Sequence, residues 1–227
     1  MKKTVLFFLV LVLLGTMGMT GLAWAQVQQQ ITPQPLMVPK TVFISSQTYV
    51  GNLGGVAGAD QLCQRLASAA GLSGTYKAWL SDANNRTPAT GWKPSSGPFR
   101  LRNGVTVANN WNEIITTGRL LNPISLDEYG RPVAPPSYDP YGKIYVWTGT
   151  KAALTTSQSI VWSTPSQLCN NWNVSECWYS TADQHSSCFG YYGVVISQTQ
   201  TYTQQYWVDA NGVRYCSSPC HLYCFQQ

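Results

Sequence analysis

The sequence closes on Cys216-Ser-Ser-Pro-Cys-His-Leu-Tyr-Cys-Phe-Gln-Gln227, where three cysteines are set among residues that suit a strand. A terminal strand carrying cysteines can be tied back to distant parts of a fold. Cys63 is the only cysteine in the first half of the chain. Cys63–Cys224 therefore reads as a clasp that closes nearly the whole domain into one loop. On the chain-entropy model, a loop of roughly 160 residues is stabilised by about 5 kcal/mol through such a bond.

All seven cysteines follow residue 25, and the chain opens as an exported one does. Met1-Lys-Lys3, the apolar run Val5–Leu14 and Ala23-Trp-Ala25 before Gln26 form the three regions of a secretory signal peptide, assigned to residues 1–25. The apolar run is too short to span a bilayer, and no later run approaches the roughly 20 residues that a membrane helix needs. The expected location is outside the cytoplasm, extracellular or at the cell surface, with the periplasm also compatible. An oxidising compartment accords with the cysteine content.

Loss of Lys2 and Lys3 with the leader lowers the formal charge from +5 to +3. Charged residues are 10% of the chain, against about 25% in an average domain. Nucleic-acid binding requires clustered Lys and Arg, and here they are dispersed. No nucleic-acid partner is expected. Tyrosine, tryptophan and neutral amides supply the surface chemistry instead.

Residues 26–39 hold three prolines and five glutamines and read as an extended linker or tail. The domain is assigned to residues 40–227. Lys40–Ser46 is β-branched and aromatic, a first strand. Gly51-Asn-Leu-Gly-Gly-Val-Ala-Gly58 leads into a helix over 59–70, with Leu62, Cys63, Leu66, Ala69 and Ala70 on its apolar face. The glycines fit neither nucleotide fingerprint, so close packing of a turn is the reading taken. Tyr76–Leu80 reads as a strand. Asn103-Gly104 predicts a hairpin between Phe99–Arg102 and Val105–Val107. Arg100 and Arg102 share a face, read as solvated. A helical turn near 109–115 should bury Trp111. Residues 125–143, rich in Pro, Asp and Tyr, read as a long loop, and Ile144–Thr148 as a strand. Gln205–Asp209 and Val213–Cys216 are expected to pair around Ala210-Asn-Gly212, and Leu222–Phe225 to form the last strand. Mixed short strands with one good early helix predict an α+β architecture.

Several stretches resemble a family of secreted bacterial domains of unknown function thought to share the C-type-lectin-like fold. They are Gly51-Asn-Leu-Gly-Gly-Val-Ala-Gly-Ala-Asp60, Gly74-Thr-Tyr-Lys-Ala-Trp-Leu-Ser-Asp82, Val107-Ala-Asn-Asn-Trp111, Val146-Trp-Thr-Gly149, Cys169-Asn-Asn-Trp172 and His221-Leu-Tyr-Cys-Phe225. The nested cysteines resemble the endostatin branch of that fold. The resemblance implies a single C-type-lectin-like domain with a long disulfide-tied loop, with Cys63–Cys224 outside and Cys169–Cys216 inside. Cys177, Cys188 and Cys220 are extra to that four-cysteine pattern. One map pairs Cys177 with Cys188 and leaves Cys220 as a free thiol. The other joins Cys220 to Cys177 or Cys188. The Glu-Pro-Asn or Gln-Pro-Asp triplet of calcium-dependent lectins is absent, as is any counterpart of endostatin's zinc histidines, so no metal and no cofactor are expected. Cys216-x3-Cys220-His221-x2-Cys224 offers zinc-type ligands, but an oxidising compartment favours disulfides.

Catalysis is not expected. His221 falls in the clasped strand, where it packs, and nothing in the spacing of Asp183, His185 and Ser186 demands a nucleophile–base geometry. Trp172 is expected to pack the long loop onto the sheet. Trp178, Tyr179, Tyr191 and Tyr192 can stack on a sugar ring or a peptide, with Asn170, Asn171, Asp183 and His185 supplying directional hydrogen bonds. These eight residues are the candidate ligand site. The expected role is a secreted, non-catalytic recognition module for carbohydrate or another surface component, held by the 169–206 loop face. The rival is a structural or assembly subunit of a surface layer or appendage, self-associating through the N-terminal tail or Cys220.

Overall fold

The β-branched run Lys40–Ile44 forms the first strand, and short strands then mix with a long helix and shorter ones. A computed structural model describes residues 37–84, 87–154, 160–163, 168–175, 189–196 and 207–227, all within one compact unit. The elements are β1 (Lys40–Ile44), α1 (Gly55–Ala69), β2 (Tyr76–Ala78), α2 (Pro88–Gly91), β3 (Phe99–Arg100), β4 (Thr106–Ala108), α3 (Trp111–Thr117) and β5 (Lys143–Trp147). They continue with β6 (Lys151–Leu154), β7 (Ile160–Ser163), β8 (Phe189–Ile196), β9 (Val213–Tyr215) and β10 (His221–Gln226). The fold is α+β. No helix among the described residues is long and apolar enough to cross a membrane.

The last strand is central. In the main sheet the order is β4-β3-β1-β10-β5-β8-β9, with β2 also paired to β10. β10 runs antiparallel to β1 (Phe43 opposite Cys224) and to β2 (Cys224 opposite Ala78), and parallel to β5 (His221 opposite Val146). Strand alternation sends successive β10 side chains to opposite faces. Leu222 and Cys224 join Phe43, Ala78 and Trp147 on the face that α1 covers. Tyr223 and Phe225 join Val42, Ile44 and Val146 on the other. There Trp79 packs against Trp92, Trp111, Trp207 and Phe225, with ring centroids 4.6 to 5.8 Å apart. Trp111 is buried as its sequence context predicts.

α1 begins earlier than its apolar period suggests, at Gly55, because Gly58 sits against the Leu53 carbonyl. A Cβ there would lie 2.0 Å from that oxygen. Only glycine admits this approach. The buried face of α1 is Ala59, Cys63 and Ala67, with Leu62 and Leu66 half-buried and Ala69 exposed. The face is thus turned toward the smaller residues, which let the helix lie close to β2 and β10. Cys63 is bonded to Cys224 with Cα atoms 5.4 Å apart, and Cys169 to Cys216 with Cα atoms 5.6 Å apart.

Two expectations are corrected. Val213–Tyr215 pairs with β8 rather than with the segment ending at Asp209. Trp207 and Val208 are instead drawn into the core, and the Asp209 carboxylate accepts from the Ala152 and Asn211 amides. Cys220 is a free thiol with none of its surface exposed, so in this fold it cannot reach a second chain. Arg102 is exposed, as a solvated face requires, and also donates to the carbonyls of Ala70 and Glu128, tying α1 to the loop after α3. Cys177 and Cys188 lie outside the described residues.

The Cys63–Cys224 bond spans 161 residues. Replacing both cysteines by alanine is expected to lower the unfolding free energy by about 5 kcal/mol, read by urea denaturation of the oxidised protein. A loss under about 1 kcal/mol would show that β10 is held by packing alone.

Candidate functional site

Three segments far apart in sequence meet at one end of the sheet and enclose a cleft of about 260 Å³. Thr48 comes from the loop after β1. Ala134, Pro136 and Tyr138 come from the proline-rich loop before β5. Tyr145 lies on β5, Pro219 precedes β10, and His221 opens it.

Each wall is pinned by hydrogen bonds. The Ser45 hydroxyl donates to the Gln47 carbonyl and accepts from the Leu222 amide, fixing the first wall to β10. Beside it, the buried Glu128 carboxylate accepts from the Ser46 amide and hydroxyl. The Tyr49 amide and carbonyl both pair with Cys220. On the opposite wall, Asp139 accepts from the amides of Tyr141 and Lys143 through Oδ1, and from the Tyr145 hydroxyl through Oδ2. One carboxylate therefore closes the turn after Tyr138 and bolts it to β5. The Tyr145 hydroxyl holds the Asp139 carboxyl below the usual carboxylate range. In return, burial and then this bond push Tyr145 up to about 12.

Behind Tyr145 stands a second layer. The Arg214 guanidinium lies 3.8 Å from the Tyr145 ring centroid. Tyr192 meets the same ring edge-on at 5.4 Å. The Cys220 thiol is pushed up to about 12 by burial, against the opposing influence of Arg214. A thiol held protonated is a poor nucleophile. Tyr145 is thus a fixed plane at the back of the cleft, while Tyr138 at its mouth is 64% exposed. No Asp, Glu, Lys or Arg is among the residues lining it.

His221 contributes as a neutral imidazole. Its Nδ1 lies 2.6 Å from the Ser45 carbonyl, which can only accept, so Nδ1 carries the proton. Burial lowers its pKa below 6.5, outweighing the carbonyls of Ser45 and Gln47 and the charge of Glu128.

The sequence-derived candidates fall in different places. Tyr191 and Tyr192 are neighbours on β8 and so face opposite ways. Tyr191 lies near the Lys151 ammonium, 5.4 Å from the ring centroid, whereas Tyr192 backs Tyr145. Asn170 and Asn171 belong to a single helical turn, Cys169–Trp172, wound left-handed with φ of 48°, 49°, 55° and 66°. That hand costs roughly 1–2 kcal/mol per L-residue. Four bonds hold it. Cys169 is tied to Cys216, the Trp172 indole donates to the Ser81 carbonyl, the Asn171 side chain accepts from the Ala83 amide, and the Leu53 amide donates to the Trp172 carbonyl. Asn171 and Trp172 therefore pack the turn, and only Asn170 is left fully exposed. Trp178, Tyr179, Asp183 and His185 lie outside the described residues. The cleft residues that sequence reasoning missed carried one signal, the Pro- and Tyr-rich composition of residues 125–143.

The Asn170 side chain is exposed while its backbone is left-handed. Asn170→Gly is expected to be neutral or to stabilise by up to about 1 kcal/mol, and Asn170→Ala to cost about 1 kcal/mol, in thermal unfolding. Because the folded pKa of His221 is below its unfolded value, the unfolded chain takes up a proton first as pH falls. The contribution of His221 is complete above pH 6.5 and declines below it toward the folded pKa. His221→Gln is expected to flatten the fall in melting temperature between about pH 7 and pH 5. An unchanged slope would place the titration elsewhere.

Comparison with known proteins places a family likeness on the segment around α1 and β2 to β4. No curated protein matches the chain. Residues 46–112, which carry α1 through the start of α3, match the model of a family described as "Protein of unknown function (DUF1554)".

Proposed function

We propose that this is a secreted, non-catalytic recognition module of C-type-lectin-like fold that binds carbohydrate or another extracellular component. An early helix clasped to the last strand, with a second disulfide nested inside, supports the fold reading. The cleft between Tyr138 and Tyr145 carries the functional one. Its 260 Å³ suits a single ring rather than a whole drug-sized ligand, for which roughly 300–1,000 Å³ is usual. Aromatic planes beside a few fixed polar groups are what a sugar ring requires, with C–H faces stacking and hydroxyls finding Thr48 and His221. The electrostatics favour a neutral ligand, since Arg214 already covers Tyr145 and Asp139 is already engaged. In this reading the 169–206 region contributes Tyr192, which backs the cleft.

The test is a glycan array on the oxidised protein, repeated with Tyr138→Ala. Binding of neutral glycans is expected, and the variant should lose about tenfold in affinity, an ordinary cost for an aromatic anchor. Its melting temperature should not move, because Tyr138 is mostly exposed. Equal binding by the variant would exclude this cleft, and a blank array would exclude the carbohydrate reading.

A further inference from the structure

A second concavity lies on the other side of the proline-rich loop, with a volume of about 540 Å³. Leu101, Leu126, Ile144 and Val195 form its buried floor. Val105 and Leu121 stand at its rim, 37% and 50% exposed. We propose that this pocket binds an uncharged amphipathic molecule, an alkyl chain bearing a neutral polar head. The inference is independent of the carbohydrate reading.

Three observations carry it. First, the volume falls within the range of small-molecule pockets, roughly 300–1,000 Å³. Second, not one lining residue is ionisable. A charged head drawn into such a pocket loses its hydration with no partner to replace it. Third, the rim offers polar groups of both kinds. Asn103 uses its Oδ1 to accept from the Val105 amide, which leaves its NH2 without a partner among the described residues. Asn122 uses its Nδ2 to donate to the Thr106 carbonyl, which leaves its Oδ1 in the same position. One donor and one acceptor above an apolar floor match an alcohol, an N–H amide or an ester that also carries a hydroxyl, and not a carboxylate.

The pocket is preformed. The hairpin turn beside it is closed by Leu101 N–H to the Val105 carbonyl and Gly104 N–H to the Leu101 carbonyl. The far wall is closed by Val133 N–H to the Ser125 carbonyl and by the Asp127–Arg131 ion pair at 2.8 Å. Walls held in this way do not collapse onto the floor, so the apolar surface stays available.

The test uses the full chain and the neutral fluorophore N-phenyl-1-naphthylamine, titrated below micellar concentrations. Saturable binding at one site per chain is expected. Displacement by 1-lauroyl glycerol should need about tenfold less competitor than displacement by laurate, because the carboxylate enters unpaired. Leu121→Arg should weaken the fluorophore about tenfold by placing a cation at the rim. The residue is half exposed, so the melting temperature should hold. Val105→Arg, also at the rim, is the second variant and should act alike. Failure to saturate, equal displacement by laurate, or full binding by both folded variants would overturn the proposal.

Discussion

The structure depends on the placement of β10 at the middle of its sheet. This strand, the last in sequence, serves β1, β2 and β5 at once, and its side chains supply both cores. Without it, β1 has no bond to β5, and α1 loses the partner of Cys63 and part of its floor. Such pairing is non-local in the extreme, since Phe43 faces Cys224 across the sheet. Non-local pairing is slow, because loop entropy is lost before contacts repay it. The Cys63–Cys224 bond answers that weakness by shrinking the unfolded ensemble, and it joins β10 to the one element, α1, that can form from local sequence.

The same logic explains the surroundings of the cleft. Its three walls come from residues 48, 134–138 and 219–221, none of which belongs to a strand except at its edge. Loops hold shape only when their polar groups are bound. Here Ser45, Asp139 and Glu128 bind them: Ser45 directly follows β1 and bonds to Leu222 on β10, Asp139 bonds to Tyr145 on β5, and Glu128 bonds to Ser46 beside β1. The cleft is held to the sheet because its pins bond to residues on or beside β1, β5 and β10. A buried thiol and a stacked guanidinium behind Tyr145 complete the support without lending reactivity.

Much of this was legible in the sequence, in proportion to how local the cause is. Asn103-Gly104 marked its hairpin, Gly71 marked the end of α1, and the β-branched runs at 40 and 144 marked strands. Trp111 and Trp172 pack as their settings suggest. What escaped was set by distant partners. Val213–Tyr215 has an inviting local turn beside it, yet β8 outcompetes that turn because Trp207 and Val208 gain more by entering the core. The left-handed turn at Cys169 suits Asn170 and Asn171 but runs against the preference of Cys169 and Trp172, and four distant groups hold it. Tyr191 and Tyr192 read as one aromatic pair, but the two-residue period of a strand separates them. The cleft was least legible of all, since no segment of it is a motif by itself.

The proline-rich loop shows how composition and architecture meet. From Pro132 to Tyr138 the backbone forms a wall with a concavity on each side. Pro132, Val133 and Pro135 line the apolar pocket, and Ala134, Pro136 and Tyr138 line the cleft. A wall exposed on both faces has no neighbouring strand to satisfy its amides. Proline has no amide hydrogen to satisfy. Three of these seven residues are proline, and the Val133 amide is bound to Ser125. The fixed φ of proline also keeps the segment extended, so alternate side chains fall to alternate sides. A sequence that looks like a linker is therefore the partition between two cavities of different chemistry, one aromatic and one aliphatic. Its prolines are what allow that partition to stand without a ladder of hydrogen bonds.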